Sequence, residues 1–171
     1  MKNFLLLFAV VLIYSCSRSP VNSFIDEYNQ ENHTVSMTIP GWLVRTGTTR
    51  AFKEIGDTDD QRALKNIAQS LGKVRVMVAS ESIVPTAAIK ELVTDARNDN
   101  YEDYVTVRDD AKIVNVMVKQ EGDIVKNLLV LISSEEDFVI THIDSKLSIS
   151  ELENAQISWN KERNKSKKTA K

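Results

Sequence analysis

The 171-residue sequence contains one cysteine, three prolines, five glycines and two histidines, and each scarcity removes a class of chemistry. A single thiol can neither close an intramolecular disulfide nor build a thiolate zinc site. The histidines, His33 and His142, lie far apart, so no closely spaced pair offers a metal a foothold. The glycines, at positions 41, 47, 56, 72 and 122, are too scattered for a phosphate-cradling or dinucleotide loop. No apolar run reaches the roughly 20 residues that span a bilayer. No nucleotide cofactor, metal or other cofactor is therefore expected, and no catalytic residue is assigned.

What is present begins with an address. Lys2 precedes an apolar run from Phe4 to Ile13, followed by small and polar residues, the order of a secretory signal. Its end, Ile13-Tyr14-Ser15-Cys16, resembles the lipobox of bacterial lipoproteins. The resemblance implies cleavage after Ser15, a diacylglyceryl thioether on Cys16, and acylation of the new amino terminus. Two or three acyl chains anchor firmly where one binds only marginally. The alternative is a secreted protein that keeps a free cysteine.

The expected organisation is a signal peptide over 1–15, a lipidated tether over 16–20, one α+β domain over 21–159, and a basic disordered tail over 160–171. Ser17-Arg18-Ser19-Pro20 carries no acidic residue. Some Bacteroidetes lipoproteins carry an acidic surface-export cluster there, so its lack favours an outer-membrane anchor facing the periplasm. The tail holds Lys161, Arg163, Lys165, Lys167, Lys168 and Lys171 against Glu162 alone. Outside the cytoplasm, nucleic acid is not an expected partner for it.

Within the body, Val21, Phe24, Ile25 and Tyr28 repeat at helical spacing after Pro20. Thr34 to Ile39 reads as a strand closed by Pro40-Gly41. Trp42 to Ile55 reads as a helix with Leu43, Phe52 and Ile55 inward. Asp57 or Thr58 can cap the next helix, whose stripe of Ala63, Leu64, Ile67, Ala68 and Leu71 ends at Gly72. Val74, Val76 and Val78 alternate as in a half-buried strand. Pro85-Thr86 opens a helix carrying Ile89, Leu92, Val93 and Ala96, closed by Asn98-Asp99-Asn100.

Four strand-like runs follow, Tyr104 to Arg108, Lys112 to Lys119, Ile124 to Ile132 and Phe138 to Ile143, with short polar gaps that only hairpins can bridge. The unbroken apolar stretch Leu128 to Ile132 marks a central strand covered on both sides, by helices, by the first helix returning, or by a partner. Ser148-Ile149-Ser150-Glu151 spells a capping box for a last helix, with Leu152 and Trp159 available to pack. The fold class is thus α+β: an antiparallel meander of about five or six strands with helices mainly on one face.

The order of these features, carried by Lys73 to Val78, Asn100 to Val105, the meander strands, and Ile143 through Leu152, resembles the domain-of-unknown-function 4252 family of Bacteroidetes lipoproteins. The resemblance implies an α+β envelope lipoprotein and no particular activity.

Catalytic alternatives find little support. His142 lies two residues before Asp144, so both side chains can share a strand face, yet no serine forms a nucleophile elbow; a half-exposed strand histidine is expected. Ser70-Leu71-Gly72-Lys73 spells a Ser-x-x-Lys motif at a helix end, where the two side chains cannot converge. Asp57, Asp59 and Asp60 could face calcium, but an EF-hand loop would put Arg62 and Ala68 at positions that need glycine and a carboxylate. The expected function is a non-catalytic, membrane-tethered envelope module that binds or scaffolds a protein or another envelope component. The alternatives are a regulatory accessory of an envelope-stress or sigma-factor pathway and a small periplasmic hydrolase.

Overall fold

The computed structural model describes residues 18–51, 59–80, 83–109 and 112–154. The lipobox with Cys16, Phe52, Ile55, the caps Asp57 and Thr58, Trp159 and the basic tail lie outside the described residues. Five helices are described, α1 (Pro20–Tyr28), α2 (Gly41–Ala51), α3 (Asp59–Ser70), α4 (Thr86–Asn98) and α5 (residues 149–154). The strands are β1 (Thr34–Ile39), β2 (Leu71–Ser80), β3 (Tyr101–Asp109), β4 (Lys112–Glu121), β5 (Ile124–Ser134) and β6 (Asp137–Ser148). No described helix is long and apolar enough to cross a membrane.

All six strands form one antiparallel sheet in the order β1-β2-β6-β5-β4-β3. β3 to β6 are the expected meander, and α4 carries the chain from β2 to the far edge so that β6 returns beside β2. Gly122 turns β4 into β5 with φ of +60°, a conformation that favours glycine. Ser134 closes the β5–β6 turn, its Oγ accepting from the Asp137 N–H at 3.1 Å. Asn100, at φ 63°, ends α4 in the left-handed region that asparagine tolerates.

Helices α1 and α4 cover one sheet face. Val21, Phe24 and Ile25 of α1 and Leu92 and Ala96 of α4 are buried against Met77, Ala79, Met117, Leu129, Leu131, Phe138 and Ile140. Each fully buried large apolar side chain contributes about 1.5–3 kcal/mol. Phe24 meets Phe138 edge-on at 6.1 Å between ring centroids.

The opposite face is also apolar. The strand register aligns Val78, Val139, Ile132 and Val114 in one row and Val74, Ile143, Leu128 and Val118 in another. Among the described residues, a second cluster covers one end of it, where Ile67 of α3 and Ile149 and Leu152 of α5 pack with Leu71, Val118, Val125, Leu128, Ile143 and Leu147. The capping box starts α5 as expected: the Ser148 N–H donates to Glu151 Oε2 at 2.8 Å, and the Glu151 N–H donates to Ser148 Oγ at 3.3 Å.

Three local expectations need correction. In β2, Val74, Val76 and Val78 do share a face, but the fully buried positions are Met77 and Ala79 on the other side. Both faces are apolar, so alternation alone could not name the inner one. Leu43 is exposed rather than inward, because α2 rests against β2 through Gly41. Gly72 is not a helix cap, since α3 ends at Ser70 and β2 begins at Leu71. Glycine fits there because a Cβ at 72 would lie 3.0 Å from Asp144 Cβ, and one at 41 only 2.8 Å from the Gly72 carbonyl carbon.

Candidate functional site

The helix-covered face becomes polar towards one end of the sheet. Asp144, Asn127, Lys119 and Tyr101 are register neighbours on β6, β5, β4 and β3, and Arg75 and His142 are neighbours in the adjoining row. Asn127 Nδ2 donates to Asp144 Oδ1 at 3.2 Å, and Lys73 Nζ lies 3.7 Å from Asp144 Oδ2. Lys119 Nζ donates to Asp99 Oδ1 at 2.8 Å and sits 5.8 Å from the Tyr101 ring centroid. Arg75 reaches into α1, donating to Asn22 Oδ1 at 2.9 Å and Asp26 Oδ1 at 2.6 Å. That hydrogen bond holds the Asp26 carboxyl below the usual carboxylate range despite its partial desolvation.

His142 corrects a further expectation. It is 3 % exposed rather than half-exposed, because Tyr101, 41 residues earlier, closes over it. The Tyr101 hydroxyl and His142 Nε2 are 3.0 Å apart, while Nδ1 has no hydrogen-bond partner among the described residues. Burial pushes the His142 pKa down, and the nearby Asp144 charge only partly opposes it. Burial, with Asp99 and Asp144 adding to it, pushes the Tyr101 hydroxyl up. Both groups are therefore neutral at pH 7, and Nε2 is engaged by a phenol rather than by a serine. Asp144 shares the His142 face, as the spacing requires, but bonds to Asn127 and Lys73.

The other sequence candidates stay apart. Ser70 Oγ donates back to the Asn66 carbonyl at 3.1 Å while Lys73 pairs with Asp144, so the Ser-x-x-Lys pair does not converge. His33 is an exposed turn residue at φ 68°. Asp59 and Asp60 open α3, and Asp57 lies outside the described residues. Among the described residues, no group of three or more His, Cys, Asp or Glu is placed to hold a metal. Asn100, Glu102, Lys119, Gln120 and Lys126 line a shallow cleft of mixed charge.

The surface carries the more distinctive feature, which sequence reasoning missed. Edge strand β3 is guarded by Glu102, Asp103, Arg108 and Asp109 and by a register shift between Asp103 and Val105. Edge strand β1, Thr-Val-Ser-Met-Thr-Ile, has no charged residue, and Val35 and Met37 are 71 % and 57 % exposed. β1 pairs with β2 alone among the described strands. Both side chains lie on the face that Val76 and Val78 continue inward. The signal available in the sequence was the lack of charge from Thr34 to Ile39, which marks an edge that, among the described residues, is left open to pairing.

A family described as Domain of unknown function (DUF4252) matches residues 28–155. No curated protein and no solved structure matches the chain. The matched stretch runs from the end of α1 through every strand to the end of α5, so the chain belongs to the DUF4252 family.

Proposed function

We propose that the protein is a non-catalytic binding module of the bacterial cell envelope, tethered by lipid on Cys16 to the periplasmic face of the outer membrane, that accepts an extended segment of a partner protein at β1. The observation that carries this reading is the contrast between the two sheet edges. A strand added beside β1 would satisfy its outward N–H and C=O groups and cover Val35 and Met37, the usual logic of β-augmentation. The charged and bulged β3 edge opposes the same event. The Tyr101–His142 pair and the flanking ion pairs are partnered internally, which suits a framework role better than proton transfer.

The test is a photo-crosslinking residue in place of Met37, in cells, compared with the same residue in place of Val107 on β3. The expected outcome is an adduct of defined mass from position 37 only, lost when Val35→Lys is added. Equal adducts from both positions, or none from 37, would contradict the reading.

A further inference from the structure

β1 alternates strictly. Thr34, Ser36 and Thr38 stand on the helix-covered face beside Ala79, Met77 and Arg75, and Val35, Met37 and Ile39 stand on the other beside Val78, Val76 and Val74. In an antiparallel pair, residues directly opposite each other share a face. Two β1 strands related by a two-fold axis through Ser36 therefore set Thr34 against Thr38, Ser36 against Ser36 and Val35 against Met37. Hydroxyls meet hydroxyls, apolar side chains meet apolar ones, and the strand brings no charge to the pair. That register also ends at Thr38, clear of Pro40, whose missing N–H could not join a ladder. An axis through Met37 would instead bring Thr34 against Pro40.

The charge on either side of β1 is split in the sense such a pair requires. The chain from Pro20 to His33 holds Asp26, Glu27 and Glu31 and no lysine or arginine, whereas the chain from Thr34 to Ala51 holds Arg45 and Arg50 and no acidic residue. Backbone bonds fix both flanks: the Thr34 N–H donates to the Glu31 carbonyl at 3.3 Å, and the Leu43 N–H donates to the Pro40 carbonyl at 2.9 Å. With Thr34 against Thr38, Glu31 of the second copy comes level with Gly41, at the start of α2. The first turn of α2 has no acidic residue of its own, its dipole favours negative charge there, and Arg45 lies one turn further on. The two-fold repeats this encounter on the other side. A parallel pair would instead set acidic flank beside acidic flank.

Exposed apolar surface gathers at the same place. Among the described residues seven large hydrophobic side chains are exposed, and five of them are Val35 and Met37 on β1, Val78 beside Val35, and Trp42 and Leu43 at the start of α2. Clustering of this kind marks an association surface. A second copy at β1 continues the apolar rows of Val35 and Met37 and lays its own 31–33 turn alongside Trp42 and Leu43.

Building on the reading of β1 as a pairing edge, we propose that its occupant is β1 of a second copy of this chain, so that two six-stranded sheets join about a two-fold at Ser36 into one continuous sheet. The test uses the full chain in intact bacterial cells, with Ser36→Cys to trap the pair as a disulfide and Thr106→Cys, on edge strand β3, for comparison. The parent, whose only cysteine is Cys16, gives the background.

Without reductant, Ser36→Cys should run mostly at twice the mass of one chain, and Thr106→Cys should stay at background. The adduct from the photo-crosslinker at position 37 should have that same doubled mass. Adding Val35→Lys, at a site away from the core, sets two like charges within roughly 7–8 Å across the axis and should cut the trapped fraction severalfold. Ser36→Cys at background, Thr106→Cys trapped as fully, or a Val35→Lys form trapped as well as its parent overturns the proposal. If Ser36→Cys stays at background while position 37 captures a different protein, the pairing edge stands and only the second copy falls. Capture of nothing from either position removes both.

Discussion

Removing the Tyr101 hydroxyl should destabilise the protein more than removing the whole Tyr101–His142 hydrogen-bonded pair. Both side chains are buried on the helix-covered face where it turns polar towards one end of the sheet, 3.0 Å apart at Oη and Nε2, and His142 Nδ1 is already unpartnered among the described residues. Tyr101→Phe keeps the ring and leaves both imidazole nitrogens without partners. A buried polar group stripped of its partner costs about 1–3 kcal/mol. For a chain of this length that corresponds to a fall in Tm of roughly 2–4 °C per kcal/mol. His142→Leu on top of Tyr101→Phe replaces both partners by apolar groups of similar bulk, which is close to neutral relative to the starting pair. The double variant should therefore be more stable than Tyr101→Phe alone. Urea titrations of the parent, both single variants and the double at pH 7.5 give the coupling directly. A Tyr101→Phe chain as stable as the parent, or a double variant whose loss is the simple sum of the singles, would refute the account of this core.

The same histidine sets a pH dependence. Its folded pKa is depressed by burial, so the unfolded chain binds the extra proton more readily. Stability is then full above the ordinary histidine value of about 6.5 and falls as pH drops through it towards the lower folded value. Replacing His142 should flatten that slope between about pH 7 and 5, a window well above the range in which Asp26 and Asp103, both held low chiefly by arginine hydrogen bonds, lose their contributions. In α2 the two glycines should respond in opposite directions to alanine. Gly47 has nothing within 4 Å of an added Cβ and should gain about 0.5–1 kcal/mol, whereas Gly41 meets the Gly72 backbone and should lose about 1–3 kcal/mol, as read by thermal melts. Leu129→Ala, at a fully buried position on a central strand, should cost about 2–5 kcal/mol in denaturant titration.

The architecture was legible where local chemistry decides it. The polar gaps at Gly122-Asp123 and Glu135-Glu136 could only be hairpins, the apolar run Leu128 to Ile132 could only suit an inner strand, and the Ser148–Glu151 box specified its own helix start. Legibility failed where the deciding partner is distant. Val74, Val76 and Val78 alternate correctly, yet whether they face helices depends on where α1 and α4 dock, and the other face is apolar as well. His142 looked half-exposed because nothing near it in sequence announces Tyr101. The adjacency of Gly41 and Gly72 joins residues 31 positions apart, so each glycine alone suggested only a turn or a cap. The open β1 edge was visible as an uncharged segment, but its meaning depends on β1 lying outermost, and strand order follows from pairing across the whole chain.

Attachment remains the central functional claim, and Cys16 carries it. The most direct measurement is metabolic labelling of the full chain with palmitate in a bacterial host, followed by membrane fractionation of the parent and Cys16→Ala forms. The account predicts a labelled parent in the membrane fraction and an unlabelled Cys16→Ala form. Equal labelling of the two chains, or a parent that takes up no label, would contradict it.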